Sequence, residues 1–247
     1  MLFRSGYPLR EVIASVSGVH GRSFAQSIEV DIGGHDVTDN DVRLALARAQ
    51  EREANEELEL IHTIATSYRI DGQDGIRDPR GMYADQMEVD INLVTGDTVS
   101  LRNMASCVER SHLEISSLCM GAYASGLSSL VDDEIDLGCT VIDIGGGTTS
   151  FVVFHGGHMV YCDAIALGGK NITSDIAKGL TTSVESAERM KIMYGCAIAG
   201  QTEDSEMIDV PTLGEEDEGH MNHVPKSYLT GIIQPRTEEI FEMVRAK

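Results

Sequence analysis

The chain has 247 residues, 42% of them hydrophobic and 24% charged, which excludes a disordered, collagen-like or coiled-coil protein and allows a core without disulfide staples. Forty acidic residues against 19 basic ones give a formal charge of −21, which repels phosphate backbones and argues against nucleic-acid binding. No apolar run reaches the roughly 18 residues of a membrane span, no basic amphipathic helix suits an anionic membrane surface, and five cysteines without a CxxC pair suit reduced thiols.

Met1 to Gly6 reads as a scar, and the chain as a fragment. Val12, Ala14 and Val16 alternate with Ile13 and Ser15 as a strand that stops at Ser17-Gly18. Residues 27–32 form a second strand, closed by Gly33-Gly34. Thr38 stands three residues before Asp41, a capping box with aspartate in the acidic place. Val42, Ala45, Leu46 and Ala49 follow at helical spacing, so a helix is expected from about Asp39 into Glu56. Leu60, His62, Ile64, Thr66, Tyr68 and Ile70 alternate as a strand, 71–81 reads as a loop, and Met87, Val89, Ile91 and Leu93 alternate with Glu88, Asp90 and Asn92 as a half-buried strand. Strand, helix, strand, strand make a small α+β unit with one face of its sheet covered.

Asp97 or Thr98 can cap a helix whose stripe is Leu101, Met104 and Val108. Residues 113–118 are strand-like, 120–130 a helix of small residues, and 131–134 an acidic loop. Next come a buried strand at 139–144, a glycine turn at 145–147, a strand at 149–154, a hairpin turn at Gly156-Gly157 and a strand at 159–165. Gly168-Gly169 precedes a helix from Asn171 to about Gly179, and Ser183 caps another that runs to Tyr194 and ends at Gly195. Residues 201–223 hold eight carboxylates and no Lys or Arg, a solvated loop region with one short strand at 207–210. Residues 228–244 are apolar at helical spacing, interrupted by Pro235.

The chemistry concentrates at Asp143-Ile144-Gly145-Gly146-Gly147-Thr148-Thr149. Three glycines let successive amides face one concavity without side chains in the way of a phosphate. Thr148 and Thr149 can donate hydroxyl hydrogen bonds. Asp143, at the end of a strand, suits a hydrated Mg²⁺, which keeps its waters and takes few carboxylates. Alone, such a triplet is more often a plain turn. Two features shift the balance: Gly168-Gly169 before a helix N-terminus, a second amide-rich surface, and Glu188 with Lys191 on one helix face, able to meet ribose hydroxyls and a base. Taken alone, that pair would be an ordinary surface ion pair.

In this order the parts resemble the actin, Hsp70 and sugar-kinase ATPase superfamily, and more narrowly the FtsA family of bacterial cell-division proteins. The segments that carry the resemblance are VIDIGGGTTSFVVFHGG, GGKNITSDIAKGL, SAERMKIMYGCA and IIQPRTEEIFEMV, with VSGVH, VTDNDVRLALARAQ and ASCVERSHLEISSLCMGAYAS upstream. The resemblance implies an α/β chain, an incomplete actin-like (RNase H-like) fold with an inserted α+β SHS2-type subdomain at 18–90. Residues 1–17 would be scar and remnant strand, 91–136 the rest of lobe 1, and 137–247 lobe 2.

It further implies ATP and Mg as cofactors. Gly145, Gly146, Gly147, Thr148 and Thr149 would meet phosphates, Asp143 would face the metal through water, Gly168 and Gly169 would approach the nucleotide, and Glu188 and Lys191 would flank ribose and base. Implied partners are the FtsZ C-terminal tail, with Arg236 and Glu239 as contacts, further copies in actin-like filaments, and late divisome proteins through the inserted subdomain. The implied place is the inner face of the cell membrane at the division site. The first phosphate loop, the later adenosine glycine motif and a C-terminal amphipathic helix are not found, so weak nucleotide binding and no membrane binding of its own are expected. No residue stands out as a water-activating base, and any ATPase would be weak. A kinase or chaperone-type ATPase of the same superfamily is the alternative, and a pure interaction module a third reading. The scattered histidines, His220 and His223 included, read as turn or solvated residues.

Overall fold

The computed structural model describes residues 10–18, 21–53, 57–198, 200, 205–212 and 221–247. Met1 to Gly6, the expected helix end at Glu56 and the acidic residues 213–220 with His220 lie outside the described residues. The chain divides into two compact units, residues 1–143 with 150–164 and residues 144–149 with 165–247.

The first unit begins with β1 (Glu11–Val16). It continues with β2 (Gly21–Asp36), α1 (Asp39–Glu53), β3 (Leu58–Ile70), β4 (Gln73–Ile76) and β5 (Tyr83–Asp97), whose strands form a four-stranded sheet in the order β2-β5-β3-β4. All its pairings are antiparallel. Met87, Val89, Ile91 and Leu93 project from β5 into a core shared with Ile28 and Val30 of β2 and with Val42, Ala45 and Ala49 of α1, as the two periodicities require. Gly33-Gly34 does not close β2. Both residues have positive φ and form a bulge, after which β2 resumes pairing at His35 with Ala84. The stretch expected to be a loop at 71–81 contains β4, a short edge strand paired to β3.

Half of the capping box forms: Asp41 accepts the Thr38 amide, while the Asp41 amide donates to the Thr38 carbonyl at 3.1 Å and not to its hydroxyl. Thr38 donates to Asp41 Oδ2 from its amide at 2.8 Å and from its hydroxyl at 2.6 Å, and the hydroxyl bond is the main reason that the Asp41 carboxyl lies below the ordinary aspartate value. A lowered folded-state pKa contributes stability that is complete above the unfolded value and disappears as the pH falls through the folded one. Asp41→Asn is therefore expected to lower the urea midpoint at pH 7 and to flatten the loss of stability below about pH 4. Parallel pH profiles of the two proteins would contradict this.

α2 (Thr98–Glu109) takes its cap from Asp97, whose carboxylate accepts the Ser100 amide at 2.8 Å. β6 (Glu114–Met120) pairs in parallel with β1, and α3 (Gly121–Ser129) follows. The expected acidic loop instead opens a short helix, α4 (Asp132–Leu137): the Glu134 carboxylate accepts the Val131 amide at 3.1 Å, and carboxylates in a first turn oppose the helix dipole. β7 (Cys139–Ile144), β8 (Thr149–His155) and β9 (His158–Ile165) form a sheet in that order. β7, an edge strand of this sheet, is half-buried rather than buried, with Asp143 and Ile144 exposed.

A second core joins Val16, Val94, Leu101, Met120, Val152, Phe154 and Met159. β5 feeds both cores, so its second face is buried where a half-buried strand was expected. Asn92 on that face is 1% exposed and donates to the Met159 carbonyl at 3.2 Å. Ser23 donates to the Cys162 carbonyl at 3.0 Å, and burial pushes the Cys162 thiol up to about 11, which keeps it unreactive. His62 is a half-buried histidine whose Nε2 accepts the Met120 amide at 3.1 Å in the assigned tautomer.

The second unit holds α5 (Gly169–Gly179), α6 (Val184–Tyr194), β10 (Met207–Pro211), β11 (Met221–Pro225) and α7 (Lys226–Ala246). Ile176, Ala187, Met190, Ile208, Leu229 and Ile233 form its core. Ser183 caps α6 by accepting the Ser186 amide at 3.1 Å. β11 was not expected; it pairs antiparallel with β10 from Met207 with Pro225 to Pro211 with Met221. α7 runs through Pro235 without the expected interruption. Thr237 donates its hydroxyl to the Ile233 carbonyl at 3.0 Å, one turn back across the proline.

Candidate functional site

Gly145, Gly146 and Gly147 are exposed between β7 and β8, and the Gly145 amide donates to the Thr148 carbonyl at 2.9 Å, which closes the turn. None of the three has positive φ, so backbone freedom is not why they are glycines. Space accounts for Gly145 alone. A Cβ on Gly145 would stand 3.0 Å from the Thr148 carbonyl oxygen, and one on Gly146 would meet the side chain of Lys170 at 3.6 Å. Gly147 faces open space.

Gly168 is the tightest position. Any Cβ there would overlap the Gly145 and Gly146 carbonyls. Glycine lets the hairpin lie directly on the first turn of α5, where Gly169 donates to the Gly145 carbonyl at 2.9 Å and Lys170 to the Gly146 carbonyl at 2.7 Å. The remaining amides are also engaged: Gly168 donates to Asn171 Oδ1 at 3.0 Å and Asn171 to the Gly168 carbonyl at 2.9 Å. This corrects one expectation. The amides at Gly168 and Gly169 are not a second donor surface but the seat of the glycine hairpin.

Thr149 is corrected in the same way. It is fully buried, and its hydroxyl donates to the Leu167 carbonyl at 2.9 Å, so Thr148, which is partly exposed, is the hydroxyl left at the turn. Glu188 and Lys191 do meet on one face of α6, at 2.7 Å. Lys191 also donates to the Gly169 carbonyl at 3.1 Å and to Thr173 Oγ1 at 2.8 Å. An ammonium has three donors, so all three are taken inside the protein. The Lys191 and Thr173 hydrogen bonds hold the Glu188 carboxyl below its ordinary value. Lys191 thus fastens α6 to the first turn of α5, and what it can offer a ligand is its alkyl stem.

In the first unit, Asp143 is exposed and accepts the Ser125 hydroxyl at 3.1 Å. Arg236 on α7 is engaged within the second unit, with Nε donating to Asp175 of α5 at 2.5 Å and Nη1 to Glu239. The local ion pair is therefore present, and Glu239 is one of its members. Ser125, Thr173 and Lys170 were missed by the sequence reading. Lys170 had a signal, a cation immediately after two glycines; the other two are ordinary helix hydroxyls with none. Among the described residues no His, Cys, Asp and Glu cluster could hold a metal, and no helix is long and apolar enough to cross a membrane.

A family model described as "Cell division protein FtsA" matches residues 140–235, and one described as "SHS2 domain inserted in FTSA" matches residues 18–95. Curated proteins named cell division protein FtsA are similar along the chain. That of Rhizobium meliloti is 38% identical over 98% of this chain and that of Bacillus subtilis 35% over 97%, each alignment taking in 54% of the relative. That of Escherichia coli K12 is 31% identical over 96% of this chain and 56% of the relative. The chain spans about half the length of the curated relatives it matches. Among solved structures, the PilM-PilN type IV pilus biogenesis complex matches with a TM-score of 0.57 at 17% identity, over 96% of this chain and 57% of that one. MreB 5 of Spiroplasma citri bound to AMPPNP matches with a TM-score of 0.50 at 19% identity, over 60% and 46%. At such identities the likeness is one of fold, and the fold is actin-like.

Proposed function

The chain belongs to the FtsA family of cell-division proteins, and from that premise we propose that it serves an actin-like division scaffold through one phosphate-binding face and one partner-binding helix. The observation that carries the proposal is the exposed glycine hairpin seated on α5. The Gly145 and Gly146 carbonyls bind inward to α5 amides, and the turn from 145 to 147 carries no side chain of its own. ATP is the ligand this face suits, and MreB 5, which has a similar fold, was solved with AMPPNP.

The residues present fit such a ligand in part. Gly145, Gly146, Gly147 and Thr148 would lie against phosphates, while the Lys191 stem and the Glu188 carboxylate would border the sugar. Asp143, exposed and steadied by Ser125, would hold hydrated Mg²⁺ through water. The ion would supply charge neutralisation of the phosphates. Among the described residues none near the hairpin is assigned as a general base, and binding is the activity proposed.

The second half of the proposal concerns partners. Arg236 and Glu239 would receive the FtsZ C-terminal tail, with an acidic peptide side chain taking the place that Asp175 now holds on Arg236. Self-association into filaments, contacts of late division proteins with the SHS2-type unit, and action at the inner face of the membrane belong to the same proposal. The test is a titration of the folded chain with an FtsZ C-terminal tail peptide. Saturable binding that Arg236→Ala weakens by about tenfold supports the reading, on the scale of one lost charge-assisted pair. Absence of binding by a chain whose circular dichroism shows it folded would overturn it.

A further inference from the structure

We infer that Lys170 is the cation that holds a nucleotide's polyphosphate on the glycine hairpin, and that it sets a preference for the more highly charged phosphate chain; this rests on the reading of the hairpin as a phosphate site. Its side chain lies along Gly146, where a methyl group would stand 3.6 Å from Cε and 3.9 Å from Cγ. The stem thus carries its ammonium beside the exposed turn. Lys170 is exposed, and among the described residues no carboxylate pairs with it.

Elimination points the same way. The first-turn amides of α5 are all engaged, so the helix terminus supplies a field but no free donor. Lys191 has its three donors on Gly169, Thr173 and Glu188. Arg236 is held by Asp175 and Glu239. A chain with a formal charge of −21 repels a polyphosphate unless a positive group stands at the point of contact. Lys178 lies in the last turn of α5, about two turns from the hairpin, and Arg189 of α6 pairs with Glu185, so of the cations that the hairpin and the elements beside it supply, Lys170 is the one left for that work. A lysine ammonium is a mobile point charge, suited to several phosphate oxygens rather than to one fixed geometry.

The experiment is a ¹⁵N NMR titration of this chain with inorganic tripolyphosphate, ATP, ADP and adenosine, read at the amides of residues 145–148. Wild type should bind in the order of phosphate charge. Lys170→Gln should raise the Kd for tripolyphosphate and ATP by about fivefold, the scale of one partly screened charge pair. It should leave adenosine unchanged, and Lys170→Arg should restore most of the affinity. Because Lys170 is exposed, the urea midpoint of each variant should match wild type, which separates lost binding from lost folding. Equal phosphate binding by wild type and Lys170→Gln overturns the inference and leaves the phosphate site standing. Shifts confined to other residues, or no shift at all in wild type, overturn the phosphate reading itself and the inference with it.

Discussion

Phe154→Ala is expected to destabilise the first unit by about 3–5 kcal/mol, the usual cost of emptying a fully buried aromatic position. Phe154 is 1% exposed and stacks on Tyr123 with ring centroids 5.9 Å apart. Its ring also fills the place that a side chain on Gly126 would take, because a Cβ there would overlap it. The two positions are therefore coupled. Gly126→Ala alone should destabilise, since the ring must shift in a packed core, while Gly126→Ala added to Phe154→Ala should cost less than the sum. Urea denaturation of the four proteins checks both statements. Strict additivity would show that the two positions do not compete for the same space.

Gly168→Ala is expected to destabilise the second unit by about 1–3 kcal/mol, the range for forcing an extra methyl into a closed contact. The atoms in the way are the backbone of Gly145 and Gly146, which cannot swing aside as a side-chain tip can. The hairpin must lift from α5 and loosen the hydrogen bonds from Gly169 to Gly145 and from Lys170 to Gly146. Amide exchange should therefore quicken at Gly169 and Lys170 in particular. Gly147→Ala serves as the control, because its Cβ would meet nothing within 4 Å, and it should leave the midpoint within about 0.5 kcal/mol of wild type. Equal behaviour of the two variants would remove the steric account of Gly168.

The elements with clean periodicity could be read from the sequence. Met87, Val89, Ile91 and Leu93 alternate because one face of β5 meets α1, and Ser183 announces α6 because a hydroxyl at that point satisfies an orphan amide. Where the reading failed, the deciding interaction was remote or unpatterned. β11 is Met-Asn-His-Val-Pro, with no apolar alternation, and exists through its ladder with β10. α4 looked like an acidic loop because its carboxylates were read as solvation, not as partners of a helix start. β2 passed through Gly33-Gly34 because a bulge and a turn use the same residues. At the site, the glycines themselves were legible, since few residue types allow such close approach. The direction of the hydrogen bonds was not. Thr149, Lys191 and the amides of α5 all turn inward, and only the neighbouring backbone decides that. Lys170 stands directly after the two glycines, but only the fold shows that its stem lies along Gly146.

The place of β5 in the sheet has a consequence for how the protein comes off the ribosome. β5 lies between β2 and β3 and is the long partner of both, from Gly21 with Gly96 to Asp36 with Tyr83 on one side and from Leu58 with Asp97 to Ile70 with Met87 on the other. While only β2, α1 and β3 have been synthesised, the apolar rows of two strands have no ladder to join, and α1 has no completed floor to cover. β3 can pair with β4 beforehand, but the ladders that join β2 to β3 must wait for β5 and then close a large loop, which makes this step slow and leaves strand edges open to other nascent chains. Substitutions in the middle of β5 should thus act first on folding rate and on the yield of native chain during synthesis, whereas equally buried changes in α1 should act mainly on how fast the finished unit opens.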